Sequence, residues 1–276
     1  MLIAACVKWT DLRPEIDPVH GTVVSTGQGD GFSMADRSAV EVALRLADAW
    51  DGEVVVLCAG PEVATAGLRE LLAAGVHRAV RVGSGQDRPG EDTAAVLAPV
   101  LSGADLGADV VVCGDYSADR GSGTVPAYLA HQLGAAQALG LISAEPEAPG
   151  RVRAIRRLDG GRREVLSVAA PAVLSVEGSV GELRRAPLAA ALAVRDADVE
   201  VRGGRIEHHV EPPRLRPWRP RARVLAAPAG DHALDRVVQL TGALVDRTPP
   251  RTVELDPPEA AEAIIEQLRA WGYLDR

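Results

Sequence analysis

The chain has 276 residues, is 47% hydrophobic but only 3% aromatic, and carries a net charge of −8. That length holds one large domain, or a domain with an extension, around a core built from Ala, Val and Leu. The acidic balance argues against nucleic acid as a general partner, and no 18-residue apolar run is present to form a membrane span.

Leu2 to Lys8 is short and apolar and ends in a charge. No basic region precedes it, so it reads as a first strand rather than a signal peptide. Trp9 to Phe32 reads as a long loop, with a small hairpin arm at residues 19–24, VHGTVV. A helix is expected to start at Asp36, with Val40, Ala43, Leu44 and Ala47 on one face, and to stop at Gly52. Glu53 to Cys58 is a second strand. Glu62 to Ala74 is a helix with Leu68, Leu71 and Leu72 inward, stopped by Gly75. Ala79 to Val82 is a third strand and Asp92 to Leu101 another helix. Strands alternate with helices through connections too long for hairpins. That pattern predicts an α/β fold with a parallel sheet covered on both faces.

The fourth strand opens the stretch that organises the rest, Asp109 to Gly134. Val110 to Cys113 is an apolar run that breaks at Gly114. A polar, Gly-rich loop follows from Asp115 to Gly123, and then a helix over 123–133. In an open parallel sheet such a loop faces the ligand crevice, and the helix start offers N–H groups to an anion. Ser122 is the expected cap, and Gly121 and Gly123 allow close approach of a phosphate. A plain turn is the competing reading of the same residues. Cys6, Cys58 and Cys113 each fall in or at the end of a strand. They are odd in number and lack a CxxC pair, which suits a reducing cytoplasm and leaves no metal site. They read as small residues packed near a ligand rather than as a reactive cluster.

After Gly134 the pattern changes. Residues 151–157, RVRAIRR, and 163–168 alternate around Asp159-Gly160-Gly161, which predicts a β-hairpin. Arginines at 151, 153, 156, 157, 162 and 163 make it basic, either as a solvated face or as a surface for an acidic partner. Ala172 to Val176 is a further strand. From about Arg195 the alternation is lost, and residues 203–223 hold four prolines and six arginines. His208 and His209 are adjacent, so in a strand they face opposite ways and share no metal. Helices are expected over Asp231 to Leu244 and Glu259 to Trp271, the second just after Pro257-Pro258. The chain therefore divides into an α/β domain over 1–195 and an extended arm with helices over 196–276, which is expected to pack on the main domain or on a partner.

Taken together, these pieces resemble the β subunit of electron transfer flavoproteins, in order and over most of the chain. LIAACVK looks like the family's first strand, and ADRSAVEVALRLAD like its first helix. GDYSADRGSGTVPAYLAHQLG is similar to the nucleotide loop and helix. AIRRLDGGRREVLSVAAPAVLS is close to the family signature of a basic residue, Asp-Gly-Gly, Glu, an apolar strand and Pro. The C-terminal PPRTVELDPPEAAEAIIEQLRAWGYL also looks like the family's last helix.

The resemblance implies a Rossmann-like fold (pseudo-Rossmann, of the adenine nucleotide α-hydrolase type) with a β-hairpin insertion and a C-terminal arm. It implies a heterodimer with an α subunit that holds the redox FAD. The pair would be an electron carrier and not an enzyme, passing electrons from flavin-dependent dehydrogenases toward a quinone reductase. It implies a buried structural AMP in this chain, lined by Cys6, Ser33, Ala59, Asp119, Arg120, Gly121, Ser122, Gly123, Thr124 and Val125. It places the residue that anchors the dehydrogenase at Leu188, where the residues alone also allow an ordinary core position on a helix. The family usually has a basic residue and Gln where this chain has Asp115 and Tyr116, Asp for Gly121, Gln for Thr124 and Asn for Ser33. Some members hold a second FAD in place of AMP. Two other classes fit less well. A stand-alone adenine-nucleotide module of the universal-stress type would carry Gly-x2-Gly-x9-Gly-Ser/Thr, and an ATP-splitting ligase would carry SGGxDS near the N-terminus.

Overall fold

The structure is a computed structural model that describes residues 1–24, 27–83, 89–104, 106–203, 227–242 and 252–274. It divides into two compact units, Met1–Trp218 and Arg219–Arg276. The first begins with β1 (Leu2–Val7), followed by β2 (Trp9–Asp11), β3 (Glu15–Ile16), β4 (Val23–Val24) and β5 (Asp30–Phe32). Then come α1 (Met34–Trp50), β6 (Glu53–Gly60), α2 (Ala64–Ala73), β7 (Arg78–Gly83), α3 (Gly90–Leu101), β8 (Val110–Gly114) and α4 (Val125–Leu133). The unit continues through β9 (Ala136–Ala148), β10 (Arg151–Arg157), β11 (Arg163–Ala169), β12 (Ala172–Val176), α5 (Leu188–Ala193) and β13 (Glu200–Gly203). In the second unit lie α6 (Ala233–Thr241) and α7 (Pro257–Ala270).

One nine-stranded sheet carries the first unit, in the order β11-β10-β9-β12-β8-β1-β6-β7-β13. From β9 to β13 neighbouring strands are parallel, while β10 and β11 run antiparallel at one end. Buried Val, Leu and Ala from both faces of the strands explain the near-continuous apolar runs in β1, β6 and β8. One core joins α1 and α2 to a face of the sheet through Val40, Leu44, Leu46, Leu68 and Leu71. A second core joins α3 and α4 to the other face through Val96, Leu97, Leu101 and Leu129. The fold is thus the α/β sandwich of helices on a mostly parallel sheet that the alternation predicts.

Several details differ from the sequence expectations. The arm within Trp9–Phe32 is two ribbons, β2 with β5 and β3 with β4, so residues 19–24 supply only one strand of the second. The helix expected at Asp36 begins at Met34, because Ser33 is its N-cap. The long strand β9 is absent from the periodicity, and β13 pairs with β7 beyond the point where alternation stops. The hairpin of β10 and β11 forms as expected around Asp159–Gly161. In α6 and α7 no residue is buried. His208 and His209 lie outside the described residues.

Candidate functional site

The site is built at the carboxyl ends of β1, β6 and β8, and Lys8, the first residue after β1, holds two of its walls. Its backbone N–H and its charge both favour the ionised carboxyl of Asp36 in the first turn of α1. Its ammonium donates to both oxygens of Asp119 at 2.8 and 2.6 Å, which ties the loop after β8 to the end of β1. Ser33 and Asp36 close a reciprocal capping box: Asp36 N–H donates to Ser33 Oγ at 3.1 Å, and Ser33 N–H donates to Asp36 Oδ2 at 3.1 Å. Two orphan donors at the helix start are thereby satisfied. Burial pushes the Asp36 carboxyl up to about 6, against the hydrogen bonds from Ser33 and Lys8.

The loop from Asp115 to Thr124 is shaped by two glycines. Gly114 ends β8 against the start of α1, where an added Cβ would lie 2.9 Å from Ala35 Cβ. Gly123 has φ +60°, and a Cβ there would meet the Asp115 carbonyl oxygen at 2.4 Å. Only glycine combines that conformation with that approach. Asp115 N–H donates to Val176 O at 3.0 Å, which registers the loop on β12. The cap of α4 is Thr124, with no side-chain hydrogen bond, and Pro126 sits in the first turn. Ser122 is therefore not the cap; its Oγ is 3.2 Å from Thr124 Oγ1. Helix geometry leaves the N–H groups of Thr124, Val125 and Ala127 without intrahelical partners, and Pro126 has none to offer. Thr124 in turn rests on Gly90 at the start of α3, where a Cβ would come 2.2 Å from Oγ1.

Charge at the loop is mixed. Burial pushes Asp119 up, but hydrogen bonds from Lys8 and Ser117 and the Lys8 charge outweigh it and hold the carboxyl below its usual range. Burial raises Asp115, and the Glu177 charge adds to the shift. Asp115 Oδ1 is buried with no hydrogen-bond partner among the described residues. An acid shifted in that direction carries its charge less readily, which eases its position beside an anion.

Beneath the loop, Cys6 and Cys113 stand opposite each other across β1 and β8, and Ser175 continues the row on β12. Cys6 and Cys113 belong to the core under α3 and α4, with Ala59 and Val125 packed against it. Cys58 belongs to the opposite core. The three cysteines are free and buried, and they do not form one cluster. The Cys113 thiol is raised well above its usual value by the hydrogen bond with Cys6 and then by burial, and burial pushes Cys58 up to about 12. Such thiols are inert packing groups. Of the sequence-derived set, the structure gathers Cys6, Ala59 and Val125 on one core. Asp119, Arg120, Gly121 and Ser122 lie on the exposed loop above, and Ser33 caps the facing helix. Lys8 and Asp36 are the residues that the sequence reading missed. Their partners lie 111 and 28 positions away, and only the charge ending an apolar strand hinted at the first.

A second surface lies over α1. Gly181 N–H donates to the buried Ser38 Oγ at 3.0 Å. Arg184 donates to the buried Glu41 through Nε at 3.1 Å and its backbone N–H at 3.0 Å, and to Asp48 at 3.0 Å. These bonds strap residues 177–187 onto α1 and deliver α5. Leu188, its first residue, is 75% exposed, so the core reading of that position does not hold.

No helix among the described residues is long and apolar enough to cross a membrane. The family model of the electron transfer flavoprotein domain matches residues 20–202, which run from the first loop to β13. Protein FixA of Azorhizobium caulinodans is 30% identical over 209 residues, covering 73% of this chain and 74% of the relative. An electron transfer flavoprotein subunit beta of Syntrophomonas wolfei is 30% identical over 201 residues, covering 71% and 77%. One of Mycobacterium tuberculosis is 34% identical over 174 residues, covering 60% and 64%.

Proposed function

Because this chain belongs to the electron transfer flavoprotein domain family, we propose that it is the β-type subunit of a cytoplasmic electron carrier and not an enzyme in its own right. Its partner is an α subunit that holds FAD, and that flavin supplies the redox chemistry when bound. The pair takes electrons from flavin-dependent dehydrogenases and delivers them toward a quinone reductase. Within this chain the loop from Asp119 to Val125 holds a structural AMP by its phosphate.

The observation that carries the nucleotide reading is the Lys8–Asp119 bridge, which holds a glycine-shaped loop over the strand ends beside the free N–H groups of α4. Backbone donors suit a phosphate without any catalytic side chain. The small side chains of Cys6 and Ala59 lie at the strand ends below the loop, where a larger side chain would crowd a ligand. What this chain does chemically is to bind and orient: it fixes the loop, excludes water from the strand ends and presents a rigid face to the partner. Denaturing the full chain together with its flavin-binding partner is expected to release AMP beside the partner's own FAD. Recovery of the partner's single FAD without AMP, or of two FAD per pair, overturns the AMP assignment.

A further inference from the structure

We propose that the groove between α1, α2 and α5 is a docking socket for an acidic segment of a partner protein. The inference rests on the reading of α5 as a partner contact and adds the chemistry of what arrives there. The groove has a volume of about 760 Å³ and is lined by five arginines, Arg37, Arg69, Arg184, Arg185 and Arg195. Among the described residues, Glu70 and Glu182 are the acidic ones that line it. A chain of net charge −8 thus gathers positive charge in this groove.

Three of the arginines are already engaged. Arg184 is bound to Glu41 and Asp48, Arg69 Nε donates to Ala197 O at 2.9 Å, and Arg37 Nε donates to Phe32 O at 3.4 Å. Arg185 and Arg195 are exposed, and among the described residues their guanidinium groups make no hydrogen bond or ion pair. They bracket α5, one before it and one after. A guanidinium fork matches a carboxylate bidentately, and a concave surface of one sign draws the opposite charge.

The apolar half of the chemistry is also present. Ala191 and Val194 of α5 line the groove, with Leu71 and Leu183 on the other walls. Leu188 and Leu192, four residues apart, stand 75% and 62% exposed beside it. Exposed leucines add nothing to the capture of a small anion, but they suit a protein segment that carries both carboxylates and apolar side chains.

The test uses the full chain and fluorescently labelled short peptides of alternating Glu and Leu, with Glu–Ser and Lys–Leu peptides as controls. The Glu–Leu peptide is expected to bind best and to weaken as salt rises. The double variant Arg185→Ser/Arg195→Ser, which leaves the Arg184–Glu41 clamp intact, is expected to bind it about tenfold less tightly, the equivalent of about 1.4 kcal/mol. Equal binding by wild type and double variant, with unchanged circular dichroism, overturns the proposal. So does arginine-dependent binding of citrate or pyrophosphate without peptide binding, since the groove is then a small-anion site. Leu188→Ala measured for electron transfer with a dehydrogenase tests the contact reading separately, because it leaves the arginines in place.

Discussion

The Lys8 ammonium meets both carboxylate oxygens of Asp119, at 2.8 and 2.6 Å, across 111 positions of sequence. The bridge joins the end of the central strand to the loop that follows its neighbour. Both side chains are about one-third exposed, so the pair itself stabilises the fold by no more than about 0.5–1 kcal/mol. Its consequence is local. Asp119→Asn is expected to leave the melting temperature within about 2 °C of wild type while lowering the nucleotide recovered from the denatured protein. Full nucleotide recovery from the variant would show that the bridge does not shape the site.

Gly123 makes a sharper case. A side chain there meets the Asp115 carbonyl oxygen before it meets any ligand, and the positive φ adds strain of about 1–2 kcal/mol. Gly123→Val is therefore expected to distort the loop and weaken nucleotide binding by one to two powers of ten or more, by about tenfold for each 1.4 kcal/mol. Asp115→Ala removes a partly buried acid and is expected to leave retention unchanged or raise it. Chromatography of released nucleotide from both variants checks the pair, and loss of nucleotide in the Asp115 variant would contradict the electrostatic argument.

Asp36 gives a pH dependence of defined sign. Its folded value of about 6 lies above the ordinary 3.8, so between these values the folded state holds more proton than the unfolded one. Stability from this group is present at low pH and is lost as pH rises through that window, by an amount on the order of 3 kcal/mol. Asp36→Asn is expected to abolish that part of the slope. Thermal melts from pH 4 to 7 that fall in parallel for both proteins would locate the pH dependence elsewhere.

Arg184 and Glu41 hold the strap to α1. Glu41 is buried, and removal of the guanidinium leaves its carboxylate with Arg45, at 3.3 Å, and the backbone N–H of residue 184, at 3.0 Å. Arg184→Ala is expected to cost about 2–3 kcal/mol in chemical denaturation. Leu188→Ala, at an exposed position, is expected to change stability by less than about 0.5 kcal/mol and to slow electron transfer from a dehydrogenase. Normal transfer in that variant would remove Leu188 from the partner surface.

Much of this fold is legible in the chain, and the misses have physical causes. The strand and helix alternation from Leu2 to Leu133 follows from apolar runs and glycine breaks. β9 escapes notice because Ala136–Ala148 is rich in Ala and interrupted by Gly140 and Pro146, poor strand formers that tertiary pairing overrides. Ser122 is a good capping residue by type, but Pro126 fits only the first turn and sets the helix start at Val125. Cys58 resembles Cys6 and Cys113 in position along its strand, yet it is level with Val7 rather than Cys6, and one residue of register turns it to the other face. At the site, the glycines, Ser33 and Asp119 are readable from sequence. The hub at Lys8 is not, because its partners come from two other connections.

The most direct test of the account is the visible spectrum of the tagged full chain, purified from its native cell with whatever flavin-binding subunit accompanies it. A stoichiometric complex is expected, with a flavin absorption band from FAD held by the partner, which dithionite bleaches and air restores, and a colourless chain once the two are separated. A chain that purifies without any flavin-binding partner, or that holds stoichiometric FAD by itself, would contradict it.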